Sequence, residues 1–468
     1  MTYTNPVIAV KGVDHGDPAV LKYNGMYYLY HTGPRDVPVY KSYDLVHWQP
    51  CGSALSASDE PDHWAQIDLW APEVIHENSV FYMYVTGAMR KEDGSADDEI
   101  RHIGVAKSHS PEGPFELAEQ PLTDEWSIDA HPFKDEDGTW YLYYNVRNET
   151  TRGPGGVIGT GNVVDRMTSL ESLSGSPALV VKPEHEWEGN KENSFFWNEG
   201  PFVLKKNGTY YQMYSAGFFG DDTYGVYYAT SRVPMGSGGM DDTSWKKWGR
   251  GKPILKTNEA CHGPGHHVVV KGPDGVEDFI VYHGYEPGEN LPERRVRLGR
   301  LSWEDDHILL EPPVTGELPM PRKPDFDGRF LTDPARINKG LASCAFDDYL
   351  FETNVALPGG SCSEAGGCLA YKDENTRLAW ALNRQAGTFT VSARKEGNAV
   401  YIEEWPLPAD FDYEAYHTVR AVVSGEKVSI RIDSIEVAFL SWSTGGKAMV
   451  SEDSCADYRG TILTELQR

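Results

Sequence analysis

Short runs of apolar and aromatic residues recur in pairs along the first two thirds of the chain, and a turn joins the two runs of each pair. At one such turn, Asn207-Gly208, residues 203–206 and 209–214 form the two flanking runs. Asn-Gly between alternating apolar runs is the strongest short-range signal of a β-hairpin. The pattern therefore predicts a hairpin here, with Glu199 just before its first strand.

The same unit occurs five times. Its turn residues are Gly25, Ser79, Gly138, Gly208 and Gly275. They are separated by 54, 59, 70 and 67 residues, and a further strand can be read after most hairpins, which gives about four strands per unit. Self-similarity at this period is typical of a β-propeller. We therefore predict an all-β chain that begins with a five-bladed β-propeller, closed by pairing of residues 7–10 with the last blade.

A polar residue stands at nearly the same distance before each turn. Asp129, Glu199 and His266 lie nine residues before their turns, Asp17 lies eight before, and Glu73 lies six before. The innermost strands of a propeller line one central funnel, so residues at one phase of these strands converge. The spacing therefore predicts that these five side chains cluster.

The pattern changes after residue 310. Residues 311–324 are rich in proline, which is typical of a linker. Later runs, such as 388–394, 418–423, 427–432 and 435–440, alternate with period two, as in an antiparallel β-sandwich. We predict a propeller at 1–310, a linker at 311–324 and a jelly-roll-like sandwich at 325–468. Within the propeller, residues 92–100 are predicted as an acidic loop, 150–195 as a long insertion and 232–255 as a connector.

Composition excludes some classes of function. Asp and Glu number 70 against 43 Lys and Arg, for a net charge of −27. Nucleic acids and anionic membranes require a basic face, so neither is an expected partner. No apolar run reaches the ~18 residues that a membrane span needs. The N-terminus lacks the features of a secretory signal, so we expect a cytoplasmic protein, or an extracellular one if the chain is trimmed. The oligomeric state is not predicted.

The six cysteines show no C-x-x-C and no zinc spacing. Free buried thiols are the favoured interpretation. A Cys362–Cys368 bridge around a glycine-rich loop is the alternative.

Three of the phased residues are carboxylic acids, namely Asp17, Asp129 and Glu199. Two acids across a funnel are the minimum equipment for glycoside hydrolysis, and a third can tune the pKa of the acid by charge repulsion. Taken singly, each is more often a solvated residue or a turn cap; their common phase favours catalysis.

Other residues are candidates for substrate or metal binding. Aromatic rings can stack on sugars or pack in the core, and the candidates are Trp70, Phe133, Trp197 and Phe218. An imidazole of His266 or His267 can hold a weakly bound cation, although a core histidine is the commoner case. Arg294 and Arg295 follow the fifth unit, where one can reach a sugar hydroxyl or an acid, although surface pairing is the commoner role.

The motifs that carry these residues resemble glycoside hydrolase family 43, a group of β-xylosidases, α-L-arabinofuranosidases and arabinanases. The resembling segments, all within residues 1 to about 310, are His15-Gly16-Asp17-Pro18, Trp70-Ala71-Pro72-Glu73-Val74, Ile128-Asp129-Ala130-His131-Pro132-Phe133, Asn198-Glu199-Gly200-Pro201 and Gly263-Pro264-Gly265-His266-His267.

The resemblance implies a five-bladed propeller and an inverting mechanism, with Asp17 as general base, Glu199 as general acid and Asp129 as the residue that tunes the acid and orients substrate. It further implies one Ca²⁺ or similar cation on the axis near His266, with no organic cofactor. Inversion requires the two reacting carboxyls to lie about 6.5–9.5 Å apart. Substrate contacts are expected from Trp70, Glu73, Phe133, Trp197, Phe218, His267, Arg294 and Arg295.

We therefore predict an exo-acting hydrolase that releases a terminal pentose, α-L-arabinofuranose or β-D-xylose, from hemicellulose-type oligosaccharides. Alternatives are an endo-arabinanase or a β-galactofuranosidase of the same fold, and a non-catalytic glycan-binding propeller. A protein-interaction propeller would not need the three acids, and a phosphorylase would need a cationic cluster for phosphate that the phased positions lack.

Overall fold

The computed structural model describes residues 1–241, 243–288, 293–344, 346–433, 435–442, 446–452 and 455–467. After a short strand, β1 (Thr2–Tyr3), five antiparallel sheets follow one another along the chain. The first consists of β2 (Ala19–Tyr23), β3 (Met26–Tyr30), β4 (Asp36–Ser42) and β5 (Gln49–Ser56). The second consists of β6 (Ile67–Glu77), β7 (Val80–Arg90), β8 (Ala96–Ser108) and β9 (Glu116–Leu117).

The next two sheets each have five strands, because two short strands both pair with the third strand. The third sheet consists of β10 (Ser127–Lys134), β11 (Trp140–Val146), β12 (Gly161–Ser169), β13 (Ser172–Leu173) and β14 (Ala178–Val181). The fourth consists of β15 (Asn198–Lys206), β16 (Thr209–Ala216), β17 (Gly225–Ser231), β18 (Lys246–Lys247) and β19 (Leu255–Lys256). Short 3₁₀ turns lie at Glu149–Thr151, Pro154–Gly156, Glu186–Glu188 and Trp248–Arg250.

The fifth sheet completes a ring. It consists of β20 (His262–Lys271), β21 (Asp278–Tyr285), β22 (Arg295–Glu304) and β23 (His307–Leu310). The first strand of each sheet contacts the first strand of the next, and β20 contacts β2. Apolar side chains such as Tyr30, Trp64 and Met83 fill the space between neighbouring sheets. This is the packing scheme of a β-propeller.

The N-terminal segment and the proline-rich segment both lie against this ring. Ile8 pairs with Val296 of the fifth sheet, which confirms the closure expected for residues 7–10. β24 (Leu318–Pro319) pairs with β1. Arg300 of the fifth sheet donates hydrogen bonds to the carbonyls of Pro319 and Met320. The segment after residue 310 therefore runs along the ring.

Three expectations about irregular segments are wrong. Much of the segment predicted as an acidic loop, 92–100, belongs to β8, which forms a long hairpin with β7. The segment predicted as an insertion, 150–195, contains β12, β13 and β14. The first five residues of β12 are all buried, so this strand shows no alternation to recognise. The segment predicted as a connector, 232–255, contains β18 and the start of β19.

The last part of the chain forms two further sheets. Their elements are β25 (Phe326–Gly328), α1 (Pro334–Leu341), β26 (Tyr349–Ala356), β27 (Glu364–Asp373), β28 (Thr376–Asn383), β29 (Thr388–Lys395), β30 (Asn398–Pro406), β31 (His417–Ser424), β32 (Lys427–Ile432), β33 (Ile435–Ser441), β34 (Lys447–Val450) and β35 (Asp457–Glu465). The first sheet has the order β25-β35-β26-β31-β32-β33, and the second has the order β30-β29-β28-β27-β34.

One apolar core joins these two sheets, and it includes Phe351, Trp380, Phe389, Val419 and Ile430. The four alternating runs recognised in the sequence coincide with β29, β31, β32 and β33. The two-sheet arrangement is that of a β-sandwich. α1 was not predicted. It is the one α-helix among the described residues, and no helix there is long and apolar enough to cross a membrane.

A buried ionic contact joins the ring to the sandwich. Glu352 accepts hydrogen bonds from Lys22 at 3.0 Å and from Arg420 at 2.8 Å. Burial alone would raise the pKa of Glu352, but the two cations outweigh it and lower this pKa to about 2. Arg420 also donates to the carbonyl of Gly275 in the β20–β21 turn. Strand β2 and the β20–β21 turn of the ring are thus bonded to the sandwich.

The expectation about cysteines needs a correction. Cys362 is bonded to Cys455, 93 residues further along the chain, so neither is a free thiol and Cys368 is not the partner. The free cysteines are Cys51, Cys261, Cys344 and Cys368. On β27, Cys368 lies opposite Met449 of β34. The pairing depends on how the last strands return to the sandwich, which cysteine spacing does not reveal.

Loss of this disulfide is expected to destabilise the sandwich. A cross-link that closes a loop of this size stabilises a folded chain by about 2–4 kcal/mol, chiefly by restricting the unfolded state. The double variant Cys362→Ser/Cys455→Ser should therefore unfold at lower temperature, and hydrogen exchange should place the loss within residues 326–465. The control is Cys344→Ser/Cys368→Ser, which removes two free thiols. Equal melting of the two variants would contradict the prediction.

Candidate active site

Each of the five inner strands has, within it or just before it, a residue with left-handed backbone geometry at nearly the same distance from its turn. The φ angles are 56° at Asp17, 44° at Ala71, 59° at Asp129, 58° at Gly200 and 44° at His266. In the second to fifth sheets the pairing register shifts at this residue. Such bulges bend a strand and change the direction of its side chains. Here they lie at the ring's centre.

The bulges define the true phase of the repeat. The left-handed residues lie eight or nine residues before the turn residues Gly25, Ser79, Gly138, Gly208 and Gly275. Glu199 is one residue before Gly200, and Glu73 is two residues after Ala71. The residue equivalent to Asp17 and Asp129 is thus Ala71 in the second sheet and Gly200 in the fourth. Counting back from each turn in the sequence selects a polar residue near this position. In these two sheets it therefore selects Glu73 and Glu199, which are two residues and one residue away from the equivalent position.

Asp17 is surrounded by cationic and polar groups. Its Oδ1 accepts a hydrogen bond from Arg294 Nη1 at 2.8 Å, and its Oδ2 accepts one from Thr32 Oγ1 at 2.5 Å. His266 Nδ1 lies 3.3 Å from Oδ1. Burial by itself would raise the pKa of Asp17, but the charge of Arg294, with that of His266, holds this pKa well below its usual range. Asp17 is therefore an ionised carboxylate.

Arg294 is held in place from two sides. Besides Asp17, it bonds Asp14 through Nε at 3.1 Å and Nη2 at 2.7 Å. Its guanidinium lies where a side chain at Gly16 would be, since a Cβ there would be 1.8 Å from Cζ. Glycine at position 16 is therefore required for this arginine to reach Asp17.

Glu199 is in a different environment. It is 8% exposed, and Tyr224 donates a hydrogen bond from its hydroxyl to Oε1 at 2.9 Å. Burial raises the pKa of Glu199 to about 8, against the effect of the Tyr224 hydrogen bond, and the charge of Asp17 raises it further. Glu199 therefore keeps its proton at neutral pH.

The pKa of Asp129 lies between those of the other two acids. Its Oδ2 accepts a hydrogen bond from the backbone N–H of Gly200 at 3.1 Å, directly after Glu199. Burial raises the pKa of Asp129 to about 7, with His266 opposing and the charges of Glu199 and Asp17 contributing. Asp129 thus holds the backbone of the Glu199 strand and responds to the charge of both other acids.

These acids line a cavity of about 730 Å³ at the centre of the ring. Ligand pockets commonly have volumes of roughly 300–1,000 Å³. The residues that line it, besides Asp17, Asp129 and Glu199, include Asp14, Thr32, Trp70, Asp98, Arg101, Trp126, Arg147, Phe195, Trp197, Phe219, Tyr224, His266 and Arg294. Aromatic rings and charged groups thus share one wall of the cavity.

Two arginine–tryptophan stacks form that wall. The guanidinium of Arg101 lies 3.5 Å from the ring centre of Trp70, and that of Arg147 lies 4.6 Å from the ring centre of Trp126. Asp98 connects them, because its carboxylate accepts from Arg101 and its carbonyl accepts from Trp126 Nε1 at 2.9 Å. Arg101 Nη1 is buried without a partner among the described residues.

The structure brings most of the predicted site residues to this cavity. Trp70, Trp197, His266 and Arg294 line it with the three acids. Phe218 packs behind Trp197, with their ring centres 5.2 Å apart, and is not part of the lining.

Four predicted contacts lie elsewhere. Glu73 Oε1 is 2.7 Å from His131 Nδ1, beneath the main cavity. Phe133 packs on Tyr143 and Tyr210 between the third and fourth sheets. Arg295 points away to Glu293 at 2.6 Å. His267 is also absent from the main cavity lining. The expected substrate contacts from these four residues are therefore not supported.

His267 instead lines a small axial cavity with Glu73, His266 and Asp129. Its volume of about 10 Å³ is close to the ~10–15 Å³ that holds a single water-sized occupant. Both ring nitrogens of His267 are buried without a partner among the described residues. Burial lowers the pKa of His267 to about 3, so the imidazole is neutral. A neutral imidazole can ligate a cation or bond a water.

Sequence reasoning missed Thr32, Arg101, Tyr224 and His283. They lie on or beside the second or third strands of their sheets, and reach the centre only because the ring closes. None belongs to the repeated phase, and a lone tyrosine or arginine in a strand carries no signal of its own. Arg101 was hidden further by the expectation that the preceding residues form a loop.

The chain matches a known family over most of its length. Residues 3–309 match the family model "Glycosyl hydrolases family 43". A thermostable family-43 glycoside hydrolase of known crystal structure is 39% identical, with a TM-score of 0.59, and the match covers 69% of this chain and 100% of that one.

Two relatives with named activities are more distant. A β-D-galactofuranosidase of Aspergillus niger is 29% identical over 60% of this chain and 77% of its own length. An extracellular exo-α-(1→5)-L-arabinofuranosidase of Streptomyces chartreusis is 28% identical over 60% of this chain and 82% of its own.

Glu199→Gln is expected to stabilise the protein in a pH-dependent way. Below the unfolded-state pKa of about 4.5, both states hold the proton and the two proteins should be equally stable. As pH rises from there to about 8, only the unfolded wild type releases its proton, so the wild type loses stability relative to the variant. Above pH 8 the difference should level off at up to about 5 kcal/mol, since the two pKa values lie about 3.5 units apart and one pKa unit corresponds to about 1.4 kcal/mol.

Chemical denaturation of both proteins between pH 4 and 9 measures this difference. Glu77→Gln, whose carboxylate pairs with Lys134 at 2.6 Å outside the cavity, is the control. A Glu199→Gln variant that is less stable than wild type at pH 8 would show that the carboxyl is ionised without penalty.

Proposed function

This chain belongs to glycosyl hydrolases family 43, and from that premise we propose that it is an inverting exo-glycosidase that releases terminal α-L-arabinofuranose from hemicellulose-type oligosaccharides. The observation that carries the proposal is the opposite protonation of two carboxyls in one cavity. Asp17 is ionised beside Arg294, whereas Glu199 keeps its proton up to a pH of about 8, because burial raises its pKa. One acid and one base are what glycoside hydrolysis by inversion requires.

The reaction assigns one role to each residue. Glu199 donates its proton to the glycosidic oxygen as the bond to the anomeric carbon breaks. Asp17 removes a proton from the water that attacks this carbon from the opposite face. Asp129 holds the Gly200 backbone and, by its charge, favours the protonated form of Glu199. Arg294 fixes Asp17, and Trp70 in the cavity wall offers an aromatic ring to the sugar.

The two relatives named above support a furanose as the terminal sugar. One acts on a β-D-galactofuranoside and another on an α-L-arabinofuranoside, by their names. These two sugars share the configuration of the ring and differ in the exocyclic chain. β-D-Galactofuranose is therefore the second candidate. β-D-Xylose, a six-membered ring, follows as the third.

The catalytic unit is proposed to be the five-bladed propeller. The five successive sheets and the contacts among their inner strands support five blades, with residues 1–310 as the catalytic domain, 311–324 as the linker and 325–468 as an accessory sandwich. Residue 468 itself lies outside the described residues. The Cys362–Cys455 bond and the extracellular relative favour an oxidising compartment over the cytoplasm.

Hydrolysis of three 4-nitrophenyl glycosides tests the function. We expect turnover of the α-L-arabinofuranoside, weaker turnover of the β-D-galactofuranoside and little of the β-D-xyloside. Activity should fall as pH rises through about 8, because Glu199 then loses its proton. Proton NMR should show the inverted anomer as the first product, and arabinan digestion should release only the monosaccharide.

Glu199→Gln should lose at least about a hundredfold in kcat on a sugar leaving group, since general acid catalysis contributes about 10²–10⁴-fold, whereas Glu77→Gln should keep wild-type activity. Release of oligosaccharides from arabinan would instead indicate an endo-acting enzyme. Binding without turnover of any substrate would indicate a glycan-binding propeller.

A bound cation on the axis is a separate proposal. An imidazole, with water completing the shell, would hold it near His266. Of the two adjacent histidines, His267 has free ring nitrogens facing the small cavity, whereas His266 Nδ1 is held by Asp17. Within the described residues no group of three or more His, Cys, Asp or Glu side chains is arranged to hold a metal. The protein would therefore supply few ligands, and binding would be weak.

Removal of the cation is expected to lower thermal stability. We expect dialysis against EDTA to lower Tm by a few degrees, and Ca²⁺ to restore it in wild type but not in His267→Phe, which keeps the ring volume and loses both nitrogens. An unchanged Tm, with no metal found by elemental analysis, would argue that a water fills this cavity.

A further inference from the structure

The hydrogen bond between Tyr224 and Glu199 determines which oxygen carries the acidic proton. Tyr224 is 1% exposed, and its hydroxyl lies 2.9 Å from Glu199 Oε1. The phenol donates in this contact, so Oε1 accepts. In a neutral carboxyl group the oxygen that accepts strongly is the carbonyl oxygen, and the proton resides on the other one. The proton is thereby assigned to Oε2.

We propose that Tyr224 is a positioning residue for the general acid, which holds Glu199 with its proton on Oε2 and strengthens its hydrogen bond as that proton leaves. The proposal rests on the hydrolytic function proposed above. In the step, the proton moves from Oε2 to the glycosidic oxygen, which keeps the electron pair of the breaking bond. Asp17 takes a proton from the attacking water. The bond to the anomeric carbon is lost on one face and gained on the other.

This hydrogen bond favours the reaction because it changes in strength. A phenol bound to a neutral carboxyl becomes a phenol bound to a carboxylate, and charge-assisted bonds are roughly twice as strong as neutral ones. An interaction that grows toward the transition state raises kcat rather than substrate affinity. Tyr224 thus compensates for part of the cost of creating a buried charge at Glu199.

The ring of Tyr224 is also connected to the base. It stacks on His283, with ring centres 5.7 Å apart and planes 4° from parallel. His283 Nδ1 accepts a hydrogen bond from the backbone N–H of Asp17 at 3.1 Å. Nδ1 therefore carries no proton, and burial lowers the pKa of His283 to about 4, so the ring is neutral. One stacked pair of rings thus contacts the acid at one end and the base at the other.

The sequence makes room for this arrangement at Gly265. A Cβ there would lie 2.2 Å from Tyr224 Cε1, well inside contact distance. Gly265, the second glycine of the Gly263-Pro264-Gly265 segment, is therefore required, since any side chain there would push the phenol of Tyr224 away from Glu199. This gives a motif residue with no chemistry of its own a definite role in positioning the acid.

The test compares Tyr224→Phe with Tyr143→Phe. Both remove the hydroxyl of a buried tyrosine, but that of Tyr143 bonds the carbonyl of Pro234 outside the cavity. The charged and titratable groups that face Glu199 are Asp17, Asp129, Arg294 and Tyr224, and only the last is changed. We expect Tyr224→Phe to raise the pKa of Glu199, so that the alkaline limb of kcat moves up by about one pH unit, the equivalent of roughly 1.4 kcal/mol.

Leaving groups give a second readout. With an arabino-oligosaccharide, whose leaving oxygen needs a proton, kcat should fall about tenfold in Tyr224→Phe, again the equivalent of about one pKa unit. With the 4-nitrophenyl glycoside, whose leaving phenolate is stable, the fall should be much smaller. If the alkaline limb of kcat does not move and kcat falls equally on both substrates, the proposal is wrong and Tyr224 has only a packing role.

A measurement without substrate separates this proposal from the function. The stability gained by Glu199→Gln, measured against pH, should level off about one pH unit higher when the substitution is made in the Tyr224→Phe background. This outcome supports the positioning role even if no glycoside is turned over. Absence of turnover would contradict only the proposed function. If Tyr224→Phe does not fold, Gly265→Ala displaces the same phenol and should shift the plateau in the same direction; no shift in either variant refutes the proposal.

Discussion

The structure of the active site depends on one electrostatic constraint: three carboxylic acids are buried in a single cavity with one arginine placed against only one of them. Like charges at close range in a poorly solvated site cannot all ionise. Arg294 contacts Asp17 and, with Asp14, forms the charged side of the site. Glu199 has only the phenol of Tyr224 as a side-chain partner among the described residues. The position of one guanidinium thus separates a base from an acid in residues of nearly equal intrinsic acidity.

Backbone strain is used to bring these groups together. Four non-glycine residues at the ring's centre, Asp17, Ala71, Asp129 and His266, adopt left-handed φ angles, which cost about 1–3 kcal/mol each when the surroundings enforce them. The apolar interfaces between neighbouring sheets provide the compensating stability, since each inner strand is held on both sides. The same ring that creates the funnel therefore stabilises the bulges that direct acids into it. Burial of a protonated Glu199 adds a further cost that grows with pH.

The sequence predicted those parts of the site that repeat. Turn residues at a steady spacing were enough to place Asp17, Asp129, Glu199 and His266 together, because inner strands of successive sheets converge. It failed where the residue at the repeated phase is not polar, as in the second sheet, where that residue is Ala71 and Glu73 lies two residues past it. It failed also for Tyr224 and Arg101, whose positions follow from ring closure, and for Cys362 and Cys455, which are joined by the path of the last strands. Each failure concerns a relation between distant segments that has no local pattern.

Substrate selection and proton transfer are separated in this architecture. Asp17 and Glu199 lie on or next to the bulged inner strands, and their partners Arg294 and Tyr224 directly precede β22 and β17. By contrast, Asp98 and Arg101 belong to the long β7–β8 hairpin, and Trp126 and Arg147 flank strands of the neighbouring sheet. Since Asp98 connects both arginine–tryptophan stacks, a change in this hairpin alters the wall without moving Arg294 or Tyr224. Among the described residues Arg101 Nη1 has no partner, which costs free energy in the empty site, because a buried donor without an acceptor has lost its water. The hydrogen bond of Arg101 to Asp98 and its stack on Trp70 offset this cost, so these contacts hold the wall in place.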